Sequence, residues 1–348
     1  LSLDFQKLEI RKPWIQKPPL RPSYKSLRKT LERLFIAKYY CLLKKHDADY
    51  VGLWNGQKQP GRSLVEAANL AGVKKLFFEN GLLPKTITLD YQGVNAYNSL
   101  PGDPDFYRAY TKRDSLPATL TSIRKKRSTS VDAKVRLPQR YIFVPFQVAT
   151  DSQVLNLSPW VRTMYQLYSV CEELLQSELI DQDIFFVCKE HPLCSKDYTS
   201  LYKKNNRIIF ANYNNTQQLI ENAEAVITLN STVGIESLLI GKPVITLGKA
   251  CYNIDGLVSA VTNQKQLIDA IRSIPYYTED SQLRDGFLHY LYHEYCLKRN
   301  GDAPDQFVDF TNRVKESDIH SRSKGDANTL QSLLTSKTDS FALVATHS

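Results

Sequence analysis

From Tyr141 to Ile274, short apolar runs of about five residues alternate with amphipathic stretches of about ten. That rhythm confines the segment to one class of fold. Strands buried on both faces read as continuous apolar runs, and two of them lie parallel only if a crossover, usually a helix, returns the chain. The expected strands are Tyr141–Phe146, Ile184–Lys189, Arg207–Phe210, Ala225–Leu229 and Pro243–Leu247. Helices are expected over Trp160–Gln176, Thr216–Asn222, Val233–Leu239 and Gln264–Ile274. With right-handed crossovers these elements form a doubly wound parallel sheet.

A shorter block of the same kind precedes it. Leu27, Leu31, Leu34, Phe35 and Leu42 recur at helical spacing within Ser23–Lys45. A strand at Tyr50–Trp54, a helix at Ser63–Ala71 and a strand at Lys75–Phe78 follow, and the Gly-, Pro- and Asn-rich stretch beyond Phe78 reads as surface loop. The expected organisation is an irregular basic arm at 1–22, an N-terminal Rossmann-like domain at 23–125 and a linker at 126–140. A C-terminal Rossmann-like domain at 141–275 comes next, then helices within 276–315 (Ser281–Leu297 and Pro304–Arg313) and a polar tail at 316–348 that reads as disordered. The architecture implied is α/β, with two Rossmann-like halves facing across a cleft and C-terminal helices.

Composition removes several classes of function. Hydrophobic residues at 42% and charged residues at 23% exclude a wholly disordered chain. No apolar run approaches the ~18 residues of a membrane span. The opening LSLDFQKLEIRKPW has no apolar core of a secretory signal, and its initial Leu suggests that residues precede it. Six cysteines without C-x-x-C spacing argue against structural zinc and against a disulfide scaffold, and read as thiols of a reducing cytoplasm. The net charge of +9 favours an anionic partner. Basic residues are dispersed except for Arg124–Arg127 and lack aromatic interleaving, which argues against nucleic acid. The arm and that run suit docking at an anionic inner-membrane surface, and equally read as solvated charge.

Ligands of open α/β sheets bind outside the carboxyl ends of the strands, so polar residues just after strands are the candidates. Glu79 follows Phe78, Asp151 lies five residues after Phe146, and Lys189, Glu190 and His191 close the run that precedes Pro192. The turn Asn230-Ser231-Thr232, with Glu236 on the helix after it, follows Leu229. Hydroxyls at a helix start could hold a phosphate or simply cap the helix. His191, aimed by its turn, suits a phosphate ligand or a proton donor. Asp151 reads either as a cap for the next helical turn or, with Glu79, as one of the two carboxylates that glycosyl transfer uses. Lys189 could neutralise an anionic ligand or be a solvated strand-end lysine. His289 and His293 sit one turn apart without H-E-x-x-H, and no metal site is expected.

The run PFQVATDSQV, then KEHP, then ITLNSTVGIESLLIGKPVITLGKACYNIDGL resembles the bacterial capsule polysaccharide biosynthesis family, which includes the β-Kdo transferases of capsule and lipopolysaccharide assembly. FFENGLLP and LDYQGVN look like its first-domain segment, so the resemblance runs from about Tyr50 to Leu257. It implies a GT-B-like fold with an acceptor-side first domain and a CMP-sugar-binding second domain. It also implies a CMP-β-Kdo donor, a glycan or glycolipid acceptor, and no metal ion or other cofactor. By the same resemblance Asp151 is the nucleophile of a retaining double displacement and Glu79 the acid/base. His191 binds the CMP portion, and Ser231 and Thr232 hold the phosphate with Asn230 and Glu236 beside them. Asn80 stands where related enzymes often carry a second acid. The competing readings are an inverting, sialyltransferase-like CMP-sugar transferase and a non-catalytic subunit of a polysaccharide assembly complex. The protein is expected in the cytoplasm or at the inner face of the inner membrane.

Overall fold

The structure is a computed structural model, and it describes residues 7, 20–111, 115–117, 120, 134–298 and 341–343. Nearly all of the basic arm, the Arg124–Arg127 run, the expected helix at Pro304–Arg313 and most of the polar tail lie outside the described residues. The chain divides into two compact units, Leu1–Ser99 with Glu294–Ser348, and Leu100–His293. No helix among the described residues is long and apolar enough to cross a membrane.

The first unit contains helix α1 (Leu20–Lys45), strand β1 (Tyr50–Trp54), helix α2 (Gly61–Ala71) and strands β2 (Lys74–Asn80) and β3 (Thr86–Asp90). Its sheet also takes in two later strands, β10 (Cys296–Lys298) and β11 (Phe341–Leu343), in the order β10-β3-β2-β1-β11. β1 runs parallel to β2 and β11, whereas β3 runs antiparallel to both β2 and β10. Tyr39 and Leu43 of α1 and Leu64, Ala67 and Ala68 of α2 cover one face, against Val51, Leu53 and Phe77.

Two sequence expectations fail here. The stretch after Phe78 is a loop only beyond Asp90. Gly81 and Pro84 lie in the turn of a β2–β3 hairpin, and β3 is buried at every position except Ile87. At Gly81 a Cβ would stand 1.8 Å from Thr86 Oγ1, so the chain reverses only with glycine there. The helix expected over Ser281–Leu297 ends at Tyr290, and a five-residue π-turn leads into β10, whose Leu297 lies opposite Ile87. The first sheet is therefore mixed, and the polar tail supplies β11 at its edge.

The second unit begins with helix α3 (Pro104–Arg108) and holds strands β4 (Tyr141–Pro145), β5 (Phe185–Lys189), β6 (Ile208–Phe210), β7 (Ala225–Thr228), β8 (Val244–Thr246) and β9 (Ser259–Ala260). All six are parallel, in the order β6-β5-β4-β7-β8-β9. Counted within the unit this is 3-2-1-4-5-6, the Rossmann order. Its helices are α4 (Ser152–Leu157), α5 (Met164–Gln176), α6 (Thr216–Glu221), α7 (Val233–Leu239), α8 (Gln264–Ser273) and α9 (Ser281–Tyr290). α4 was not foreseen, and α5 starts four residues later than expected because Thr163 caps it, accepting from the Gln166 amide at 3.1 Å.

The central strand β4 is buried throughout, as a strand covered on both faces must be. The segment before it belongs to this unit because α3 packs on α9. Arg108 Nε lies 2.9 Å from Asp280 Oδ2, Tyr107 meets Phe287 edge-on at 5.3 Å, and Gly286 leaves no room for a Cβ beside the Tyr107 carbonyl.

Candidate functional site

In a sheet ordered 3-2-1-4-5-6 the chain builds outward in both directions from the central pair, which opens a crevice at the carboxyl ends of those two strands. Here the pair is β4 and β7. The segment leaving β4 carries Gln147, and the segment leaving β7 carries Asn230. Their carboxamides pair: Gln147 Nε2 donates to Asn230 Oδ1 at 3.0 Å, and the Asn230 backbone N–H donates to Gln147 Oε1 at 3.3 Å. Asn230 Nδ2 donates onward to the Gln153 carbonyl at 3.1 Å and to Ser158 Oγ at 3.4 Å. Gln147, Ser158 and Asn230 are all buried, so the bonds among them form out of water and hold the two exit segments in one register. Asn230 thus faces inward as a brace between the segments.

Asp151 sits at the N-terminus of α4. Its Oδ1 accepts from the Gln153 amide at 2.9 Å, which makes it the helix N-cap. Thr163, Asn215, Asn263 and Asp280 cap helices of the same unit in the same way. The capping alternative raised for Asp151 is therefore present in the structure, and the cap fixes the direction of its half-buried carboxylate.

Ser231 and Thr232 stand at the start of α7. Ser231 Oγ accepts from the Val233 amide at 3.2 Å, while Thr232 occupies the cap position without a side-chain capping bond. Beneath them the Tyr252 hydroxyl donates to the Ser231 carbonyl, and burial pushes that phenol well above its ordinary pKa. The ring fits because residue 234 is glycine: a Cβ there would lie 2.3 Å from the Tyr252 oxygen. Glu236, half-buried, adds a carboxylate to the first turn of α7.

His191 leaves β5, the neighbour of β4. Its Nδ1 accepts from the Leu193 amide at 3.1 Å, so the neutral ring carries its proton on Nε2. Glu190 turns away from it. That carboxylate accepts from the Tyr202 hydroxyl, which in turn accepts from Asn212 Nδ2 at 2.6 Å, and the Asn212 amide oxygen takes the Glu190 N–H at 2.9 Å. Lys189 directs its ammonium to the Asn214 carbonyl. Asp151, His191 and the Ser231–Thr232 turn therefore share one edge of one sheet.

Glu79 belongs to the first unit, near the end of β2. Asn55 Nδ2 donates to its Oε2, and the Asn80 backbone N–H donates to its Oε1 at 2.9 Å. The residue in place of a second acid thus orients the first one. Asn55 reaches Glu79 because it turns at the end of β1 with φ of 62°, a left-handed conformation that Asn tolerates. Its backbone N–H is tied to the Phe78 carbonyl at 2.8 Å.

Sequence reasoning passed over Asn55, Ser158, Tyr202, Asn212 and Tyr252. The only local signals were the Asn55-Gly56 turn and the unexplained Gly234. The partners lie as far as 83 residues away in sequence, in the case of Gln147 and Asn230.

Residues 110–300 match the family model described as capsule polysaccharide biosynthesis protein. The chain belongs to this family. Among relatives of the capsule polysaccharide biosynthesis chain, protein FixF of Sinorhizobium fredii is 37% identical over 283 residues, which cover 79% of this chain and 68% of that protein. Capsule polysaccharide export protein KpsS of Escherichia coli is 27% identical over 278 residues, covering 62% and 71% respectively. Among solved structures, the β-Kdo 2,4 transferase of Thermosulfurimonas dismutans KpsC aligns with 16% identity and a TM-score of 0.46, over 71% of this chain and 80% of that one. The β-Kdo 2,7 transferase of the same protein aligns with 18% identity and a TM-score of 0.44, over 72% and 78%.

Proposed function

We propose that this chain is a glycosyltransferase that moves β-Kdo from CMP-β-Kdo to a bacterial surface glycan or glycolipid with retention of configuration. One observation carries the reading: Asp151, His191 and the Ser231–Thr232 turn lie at the carboxyl ends of β4, β5 and β7, at the switch point of a Rossmann-ordered sheet. That edge suits a nucleotide-activated donor. The α7 amides and the Ser231 and Thr232 hydroxyls would hold the phosphate, with the Nε2 proton of His191 beside it and the Lys189 ammonium lending positive field. The choice of cytidine and of Kdo rests on the family resemblance.

In the first step the Asp151 carboxylate attacks the anomeric carbon, and the bond to the CMP phosphate breaks with its electron pair leaving on CMP. In the second step an acceptor hydroxyl attacks the same carbon, its proton passes to Glu79 and the Asp151 carboxylate is released. Donors aimed at the departing phosphate lower the first barrier.

The N-cap bond of Asp151 favours one second reading, an inverting transfer in which this carboxylate only orders the loop. The anomeric configuration of the product separates the two. Calorimetry tests the donor site: CMP should bind more tightly than UMP, UDP or GDP, and His191→Ala should weaken CMP several-fold. Preference for UDP overturns the donor assignment. Absence of both CMP binding and transfer leaves the assembly-subunit reading.

A further inference from the structure

Helix α1 presents two apolar faces, and only one is used by the fold. Ile36, Tyr39 and Leu43 pack on the first sheet and α2. Leu27, Leu31 and Leu34 recur at the i, i+4, i+7 spacing of a second stripe, with Phe35 alongside, and they are 56%, 39%, 62% and 38% exposed. A groove of about 440 Å³ lined by Arg33, Ile36, Ala37, Tyr40 and Leu70 continues this surface onto α2, where Leu70 is 69% exposed. Contiguous apolar surface of this kind marks an interaction site.

The charge of the same helix says what it meets. α1 carries eight Lys or Arg residues and one acid, Glu32. Lys38 and Lys45 stand in line with the stripe at helical spacing and Arg28 borders Phe35; both lysines are exposed and make no ion pair among the described residues. Two copies of such a helix would repel each other. A leucine stripe bordered by lysine and arginine instead matches the boundary between headgroups and acyl chains of an anionic bilayer.

We infer that α1 is a membrane-surface helix, which lies in the interface of an anionic lipid bilayer with Leu27, Leu31, Leu34 and Phe35 in the acyl boundary and its basic residues among the phosphates. The inference is independent of the donor and of the chemistry proposed above. It goes beyond the basic arm and the Arg124–Arg127 run, since the docking element is a described helix with apolar contacts of its own.

The test uses the full chain and two kinds of vesicle, phosphatidylcholine alone and phosphatidylcholine with phosphatidylglycerol in equal parts. The chain should sediment with the mixed vesicles, stay in solution with the neutral ones, and come off as salt rises. Leu31→Ser/Leu34→Ser should bind at least about tenfold more weakly. Lys38→Ser/Lys45→Ser should lose about fivefold per charge at low salt. Melting temperatures near wild type show that both variants fold. If the leucine variant melts early, the lysine variant decides alone. Failure to sediment with anionic vesicles, equal sedimentation with neutral ones, or full binding by either folded variant overturns the inference. A solution dimer that Leu31→Ser/Leu34→Ser dissolves assigns the stripe to a second copy and overturns it as well.

Discussion

The Gln147 and Asn230 carboxamides meet at the switch point of the second sheet, 3.0 Å from nitrogen to oxygen, and neither is open to water. Removing one partner strands the other in a buried site, at a cost of about 1–3 kcal/mol for each orphaned group. Asn230→Leu should therefore lower stability by at least about 2 kcal/mol in urea denaturation. Gln147→Leu/Asn230→Leu should cost less than the sum of the single changes, because it leaves fewer donors and acceptors unmatched.

Asp151 is a helix cap whatever else it does, so truncation to Ala cannot isolate its chemistry. Asp151→Ala should lose about 1 kcal/mol of stability with the cap. Asp151→Asn keeps an oxygen that accepts from the Gln153 amide and should melt near wild type. If the carboxylate is the nucleophile, the Asn variant still loses nearly all transfer while binding CMP normally, and Glu79→Gln accumulates a sugar–protein adduct visible in intact mass spectra. Substantial transfer by Asp151→Asn rules out the covalent intermediate.

Gly234 and Tyr252 should behave as a coupled pair. Gly234→Ala drives a methyl into the Tyr252 hydroxyl and should destabilise by about 1–3 kcal/mol. A smaller residue at 252 should relieve much of that in a double-mutant cycle. Additive effects would mean that the ring has room to move aside.

Asp90 gathers five donors in a buried position: the amides of Gln92, Gly93 and Ser99 and the hydroxyls of Ser99 and Tyr295. Asp90→Ala should cost about 3 kcal/mol or more, against about 1 kcal/mol for Tyr295→Phe. Equal losses in thermal melts would place the anchor of the 91–99 loop elsewhere.

Acid should weaken the second unit. A hydrogen bond from Arg140 holds the Asp183 carboxyl below the ordinary aspartate range, and the Leu283 amide, then Arg108, do the same for Asp280. A lowered folded pKa contributes stability above the unfolded value, about 3.9, which is lost as pH falls through the folded value. Denaturation midpoints should stay flat from neutral to about pH 5 and decline below about pH 4. Arg140→Met should flatten the part of that decline that Asp183 contributes.

The alternation of apolar runs and amphipathic stretches predicts five of the six parallel strands of the second unit, all but β9, because a period of two or of 3.6 residues is a local property that each segment carries in itself. It also placed Asp151, His191 and Ser231 at strand exits, since the exit is simply where an apolar run stops. What joins those exits was not legible. Gln147 and Asn230 pair across 83 residues, and no local pattern encodes a partner that far away. The same limit hid β3. Its Gly and Pro neighbours predict a loop because a hairpin turn and a loop share a composition, and only pairing with β2 and β10 makes Thr86–Asp90 a strand. Tertiary structure alone decided that Asn55 reaches Glu79 and that the leucine stripe of α1 is left outside the core, whereas the Asp151 cap is a bond between near neighbours that the sequence already offered.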